Sequence, residues 1–183
     1  MDIGSTGSPL PLKLAKKGYK VHTADVRKYS EKHPNIVSHE IDINNMPFKD
    51  NYFDVITCIS TLEHIGLGAY DDPKYDNGDE LAVREIGRVL KINGILIITF
   101  PFAKEYMILP WLDAFERIYN FDRVSILFKS WKILKSEYYI PKKAGYIPKN
   151  IYSWVKAKKE EAEKVYSPYP RSNLACFVLQ KIV

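Results

Sequence analysis

The feature that most constrains this chain is a pair of apolar runs with a helical pattern between them. Phe53-Asp54-Val55-Ile56-Thr57-Cys58-Ile59 is nearly continuous in apolar residues, and so is Ile95-Leu96-Ile97-Ile98-Thr99-Phe100. Runs of this kind suit strands of a sheet covered on both faces. Between them, residues 79–91 carry Val83, Ile86 and Leu90 at helical spacing, with Glu80 four residues before Arg84. Asn93-Gly94 then turns the chain into the second run. Strand, helix and strand in that order predict a parallel βαβ unit. The same alternation holds upstream. Residues 9–17 read as a short helix with proline at its start and Gly18 as its stop. Residues 19–25 alternate and end in an acid, and residues 35–41 are a further strand candidate. The expected fold is α/β, a doubly wound and mostly parallel sheet.

Beyond Pro101 the pattern changes. Residues 111–119 look helical, 132–140 strand-like, and 151–165 form a charged helix. Residues 174–183 read as a last buried strand, expected to add an antiparallel C-terminal edge strand to the sheet. The first strand is represented only by Met1-Asp2-Ile3, so the N-terminal strand is expected to be truncated. The length of 183 residues suits a single domain over residues 1–183. Hydrophobic residues at 46% and charged residues at 27% exclude disordered and collagen-like chains. No apolar run approaches the roughly 18 residues of a membrane span, so no membrane role is expected. The first residues lack a secretory pattern. Cys58 and Cys176 sit inside apolar runs and read as reduced, buried thiols, which suits a cytoplasmic protein.

The formal charge of +5 is unevenly placed. Residues 104–170 hold 13 basic and 8 acidic side chains, while the remainder balances at 14 and 14. That segment also holds all three tryptophans and eight of the thirteen tyrosines. One reading is a small aromatic sub-core under a solvated lysine face. The sharper reading is a substrate-side insertion that walls the site or receives an anionic partner.

Site chemistry clusters early. Asp2-Ile3-Gly4-Ser5-Thr6-Gly7-Ser8 runs from a strand end into a helix start, where glycine lets backbone approach a ligand and free N–H groups are on offer. Eighteen residues after Gly7, Asp25 ends the second strand and is placed to accept hydrogen bonds from ribose hydroxyls. The G-x-G-x-x-G spacing of pyrophosphate binders is absent, and no Lys-Ser/Thr follows the glycines. Asp42 with Ile43 closes the third strand, where an acid can take an adenine amino group while Ile43 packs on the ring. The alternative is an ordinary strand-end acid opening the turn Asn44-Asn45. Ser60-Thr61-Leu62-Glu63-His64 leaves the fourth strand where a substrate meets a cofactor in an open α/β sheet.

At these residues the chain resembles the class I S-adenosylmethionine-dependent methyltransferases of the small-molecule group. The family reads D-x-G-x-G-x-G, an acid, D-x-x-x-x-P-F, and F-D ending in L-E-H. Here these stand as Asp2 to Ser8, Asp25, Asp42-Ile43-Asn44-Asn45-Met46-Pro47-Phe48, and Phe53-Asp54 running to Leu62-Glu63-His64. Arg88-Val89-Leu90-Lys91-Ile92-Asn93-Gly94 matches the family's R-V-L-K-x-G-G, with Asn93 replacing one glycine. The resemblance implies a Rossmann-like fold with S-adenosyl-L-methionine as cofactor. It implies that Asp2, Gly4, Ser5, Thr6 and Gly7 line the methionine part, that Asp25 with Val26 holds the ribose, and that Asp42 with Ile43 holds the adenine. Ser60, Thr61 and Leu62 would flank the methionine end. Thr6 and Ser8 depart from the family's glycines, which predicts a tighter or shifted loop.

For catalysis, His64 is the candidate general base, since imidazole titrates near neutrality. The competing reading gives Glu63 and His64 the task of capping and orienting the loop. Asp71, Asp72 and Asp76 are second-choice carboxylates in a hydrated loop with no metal-ligand spacing, so no metal is expected. Ser60-Thr61-Leu62-Glu63 is not the D/N-P-P-Y/F set of amino-methylating DNA enzymes, which excludes DNA. RNA is less favoured than a small molecule or sugar, because the lysines of residues 156–164 are interleaved with acids. The alternatives carried forward are a non-catalytic methyltransferase-like binding protein and, behind it, a nicotinamide-dependent oxidoreductase.

Overall fold

The computed structural model describes residues 1–68, 70, 72–111, 114–143, 152–164 and 172–183. An eight-stranded sheet is built from β1 (Asp2–Ile3), β2 (Val21–Asp25), β3 (Ile36–Glu40), β4 (Phe53–Ile59), β5 (Leu90–Phe102), β8 (Trp131–Lys143), β9 (Tyr152–Ala157) and β10 (Asn173–Lys181). Its strand order is β3-β2-β1-β4-β5-β10-β8-β9. The first five pair in parallel and the last three join antiparallel. A separate hairpin, β6 (Met107–Trp111) with β7 (Ala114–Ile118), stands beside it. The helices are α1 (Leu10–Lys16), α2 (Gly78–Val89), α3 (Phe121–Leu127) and α4 (Lys159–Lys164).

The doubly wound sheet agrees with the alternation in the sequence. Chain order runs from β1 outward through β2 to β3, then returns to β4 and runs outward the other way to β5. Right-handed crossovers therefore place α1 and α2 on opposite faces. β1 is two residues long, yet it lies between β2 and β4, with Asp2 opposite both Thr23 and Thr57.

The core fills one face. Ile56, Leu96, Ile98, Phe100, Ala175 and Leu179 are fully buried there with Ala82, Ile86 and Val89 of α2, and Val124 of α3 and Ala162 of α4 join the same cluster. Opposite, α1 shields β2, where Val21 and Thr23 are buried, and stops short of β4 and β5. Val55 (44% exposed), Ile59 (42%) and Ile97 (36%) stand open on that face. The apolar runs of β4 and β5 are thus covered on one face only along this stretch, which corrects the expectation of two covered faces. Cys58 is buried as expected; Cys176 is only partly so.

Three further expectations are corrected. The C-terminal strand is antiparallel, but it lies between β5 and β8, because the β8–β9 hairpin extends the sheet and β9 forms the edge. Residues 111–119, read as helical, contribute Trp111 to β6 and Ala114–Ile118 to β7, while residues 112 and 113 lie outside the described residues; the register pairs Met107 with Ile118 and Ile108 with Arg117, so tertiary pairing overrides the local pattern. Residues 152–164, read as one charged helix, divide into β9 and α4, since Tyr152–Ala157 pairs with β8; residues 151 and 165 lie outside the described residues. Within residues 104–170, Tyr119 and Tyr138 are buried against Phe100 and Phe102. Lys135 and Lys156 instead lie on the surface, paired with Glu137.

The one-sided core makes a specific prediction for two neighbouring residues of β5. Ile98→Ala should cost about 2–5 kcal/mol and Ile97→Ala less than about 1.5 kcal/mol by urea denaturation, because only Ile98 leaves a cavity. Equal losses would show the open face to be covered in solution.

Candidate functional site

The cleft forms where the sheet reverses direction, at the C-terminal ends of β1 and β4. Its volume is about 480 Å³. One wall is the turn after β1, contributing Asp2, Gly4, Thr6, Gly7 and Ser8. The end of β2 supplies Asp25, Val26 and Arg27, and the segment after β3 supplies Asp42 and Ile43. The opposite wall is the end of β4 and the turn after it, with Ile59, Ser60, Thr61, His64 and Ile65. Tyr70 and Asp72 complete it.

Of the residues the sequence singles out, Ser5 and Leu62 do not line the cleft. Both are fully buried beneath it, Leu62 within the hydrophobic core. Arg27, Ile65 and Tyr70 line it without having been singled out. Arg27 follows Asp25 by two residues, whereas Ile65 and Tyr70 carried no sequence signal. None of the lining residues comes from 104–170 among the described residues. That segment instead works from below. Arg117, 1% exposed, donates from its side chain to the Ile65 carbonyl at 2.7 Å and from its backbone to the Glu63 carbonyl at 2.9 Å.

The turn after β1 requires glycine at two places. Gly4 has φ +72°, and a methyl group there would lie 2.0 Å from Thr61 Oγ1. Gly7 has φ +77° and opens onto free space. The Thr6 amide donates to Asp25 Oδ2 at 3.0 Å, so the residue standing in place of a family glycine ties the turn to the acid. Asp25 Oδ1 accepts from the Arg27 amide at 2.9 Å and from Arg27 Nε at 3.2 Å. Burial opposes ionisation of Asp25, but these amides and the guanidinium outweigh it and hold its pKa below the ordinary carboxylate value. Asp2 is driven the other way by burial, an effect the Thr57 hydroxyl bond to its Oδ1 only partly offsets. Its other oxygen is buried with no hydrogen-bond partner among the described residues.

On the facing wall Ser60 adopts φ +46°, a left-handed conformation that a non-glycine residue holds only under constraint. Thr99 supplies that constraint: its carbonyl and hydroxyl accept from the Ser60 amide at 3.1 and 3.0 Å. His64 is half-buried, and its ring meets Tyr70 edge-on at 5.2 Å. Glu63 beside it points inward. Desolvation pushes its pKa up to about 8, and Oε2 has no hydrogen-bond partner among the described residues. Asp72 ties its loop together, accepting from the Gly66 and Tyr70 amides. Asp71 lies outside the described residues. Among those described, no group of three His, Cys, Asp or Glu is placed to hold a metal ion.

The residues present fit a nucleoside with a charged amino-acid tail. The buried, unpartnered Asp2 oxygen is an acceptor at the turn, Gly4 and Gly7 leave room for close backbone approach, and two further acids stand one strand and two strands away.

Two outcomes follow from this geometry. Gly4→Ala should destabilise by about 2–4 kcal/mol in urea, combining left-handed backbone strain with collision against Thr61; adding Thr61→Ala should recover only the steric share. The Glu63 carboxyl has a folded-state pKa above its unfolded one, so between about pH 4.5 and pH 8 the unfolded chain binds fewer protons than the folded one. Stability should therefore fall as pH rises through that window, and Glu63→Gln should flatten the fall, gaining on the order of 1–3 kcal/mol at pH 8. Parallel pH profiles for the two chains would show that Glu63 is not buried as described.

Residues 1–98 match the family model described as a methyltransferase domain. No curated protein matches the sequence. Among solved structures, the 1,6-didemethyltoxoflavin-N1-methyltransferase of Burkholderia thailandensis, with 1,6-didemethyltoxoflavin and S-adenosylhomocysteine bound, superposes with a TM-score of 0.69 at 10% identity, covering 100% of this chain and 70% of its own. A methyltransferase of Methanosarcina mazei described as SAM-dependent gives 0.63 at 13% identity, covering 100% and 91%. The [4+2]-cyclase SpnF gives 0.62 at 19% identity, covering 100% and 73%. These likenesses share the fold, and with S-adenosylmethionine as cofactor the chain belongs to the methyltransferase-domain family.

Proposed function

We propose that this protein transfers a methyl group from S-adenosylmethionine to an O, N or C atom of a small molecule or sugar. The observation that carries the reading is the convergence, in one cleft, of the glycine turn, Asp25, Asp42 and the Ser60–His64 turn. The small-molecule class is supported by the size of the cleft and by the Burkholderia thailandensis neighbour, which acts on 1,6-didemethyltoxoflavin. RNA is the less favoured acceptor, since Lys135 of β8 and Lys156 of β9 are drawn into pairs with Glu137.

In this reading the turn over Gly4, Thr6 and Gly7, with Asp2, holds the methionine tail. Asp25 accepts from the ribose hydroxyls, with Val26 beside it, and Asp42 accepts from the adenine amino group while Ile43 packs against the ring. Bound there, the cofactor supplies an electrophilic methyl group already activated by its sulfonium. The chain's own work is alignment and exclusion of water. Ser60 and Thr61, fixed by the strained turn, set the wall beside the methionine end. His64 is held on the same turn, with its amide bonded to the Thr61 carbonyl at 3.0 Å, and takes the proton from a hydroxyl or amine acceptor. An acceptor that loses no proton would leave His64 as a wall residue only.

Calorimetric titration with S-adenosylhomocysteine, with NAD as control, tests the cofactor pocket. Asp25→Ala should weaken binding by about 1–3 kcal/mol, and unchanged affinity would remove the ribose assignment. His64→Ala should lower turnover while leaving cofactor affinity nearly intact. Tight S-adenosylhomocysteine binding with no methyl transfer across an acceptor panel would leave a methyltransferase-like binding protein. Binding of NAD instead would favour an oxidoreductase.

A further inference from the structure

The loop joining β4 to α2 makes a contact with the cleft that the family motifs do not describe. Its base is pinched shut by two glycines. A methyl group on Gly66 would lie 2.8 Å from Gly78 Cα, and one on Gly78 would lie 2.6 Å from the Ile65 carbonyl oxygen. The Tyr75 amide donates to the Gly66 carbonyl at 2.9 Å, so Tyr75 stands near that fixed base. From there its hydroxyl donates to Asp42 Oδ2 at 2.9 Å, across 33 residues of sequence. The other oxygen, Asp42 Oδ1, accepts from the Asn44 amide at 2.9 Å. One donor on each oxygen fixes the rotation of the carboxylate, each oxygen keeps acceptor capacity, and Asp42 lines the cleft.

We propose that Tyr75 is a positioning residue for adenine recognition, its hydroxyl fixing the Asp42 carboxylate in the orientation that accepts the exocyclic amino group. This rests on the assignment of Asp42 to adenine made above. The chemistry is selective. Adenine offers an N–H donor at its 6-position, whereas hypoxanthine offers a carbonyl oxygen that a carboxylate repels. A carboxylate free to turn away tolerates that oxygen better than one held on both sides. The same loop also reaches the partner of the ribose acid. Tyr70 lies under the Arg27 guanidinium at 4.3 Å, and Arg27 bonds Asp25. One pinched loop therefore touches Asp42 itself and the Arg27 partner of Asp25.

The test is calorimetric titration of S-adenosylhomocysteine and its inosine analogue, in which the 6-amino group is replaced by oxygen. It uses wild type, Tyr75→Phe and Asp42→Ala, with thermal melting of each. Wild type should prefer the adenine ligand by about tenfold or more, the discrimination of one buried polar contact. Tyr75→Phe keeps the ring and removes the donor; it should cut that ratio to about threefold or less, mainly by weakening the adenine ligand, with unchanged melting. Equal weakening of both ligands, or an unchanged ratio, would overturn the role of Tyr75. Tyr75→Gln, which restores a donor on a different scaffold, should recover part of the ratio, and this arm decides the matter if the phenylalanine variant melts early. An unchanged ratio in Asp42→Ala would overturn the adenine assignment and with it this proposal. A lost ratio there beside a retained one in Tyr75→Phe overturns the positioning role alone. No binding of S-adenosylhomocysteine by wild type would overturn both.

Discussion

The structure depends on the pairing of the two-residue strand β1 with β2 on one side and β4 on the other. That double pairing is where the sheet changes direction, and it leaves a gap outside the strand ends that no crossover helix fills. Every wall of the cleft is hung from it. Asp2 is held by Thr57 of β4, the Gly4 amide donates to the Ala24 carbonyl of β2 at 2.9 Å, and the Thr6 amide reaches Asp25. Asp25 ends β2, and Asp42 follows the end of β3 by two residues, so the parallel register brings both to the same end of the sheet.

A second constraint comes from the segment beyond Pro101. Its basic and aromatic composition invites a reading as a substrate wall, yet among the described residues its dealings with the site run underneath. Arg117 bonds the Ile65 carbonyl, and Tyr119 donates to the Leu62 carbonyl at 3.4 Å. Asp79, fully buried at the start of α2, receives two bonds from Arg123 at 2.7 and 3.1 Å and lies 3.8 Å from Arg117. A buried cluster of this kind contributes little net stability, because desolvation offsets the attraction. What it supplies is geometry: the β7 strand, α2 and the Ser60–Ile65 turn are locked to one another. Glu63, buried and protonated through neutrality, joins that packing without adding a charge to it.

Much of this was legible in the order of residues. The short helix over Leu10–Lys16, the strand ending at Asp25, and α2 with its buried Val83 and Ile86 follow from periodicity, since burial of one face imposes spacing on the sequence. Asn93 in place of a family glycine is also intelligible, because its φ of +64° is one that asparagine tolerates. The hairpin of β6 and β7 was not legible. Its side-chain pattern looks helical, and only the antiparallel pairing of Met107–Trp111 with Ala114–Ile118 decides otherwise. The open face over Val55, Ile59 and Ile97 was equally hidden, because an apolar run reads the same whether one or both faces are covered.

By itself the sequence determined the α/β alternation, the glycine turn and the three acids in or just beyond the first three strands, because each is a local demand on residue type that the chain must meet in order. Tertiary structure decided which side chains share a wall. Ser5 and Leu62 went beneath the cleft, while Arg27 and Tyr70 met across it at 4.3 Å and Tyr75 came to Asp42. Those contacts join segments tens of residues apart, and their distances are set by strand order and by the Gly66–Gly78 pinch. No spacing along the chain encodes them.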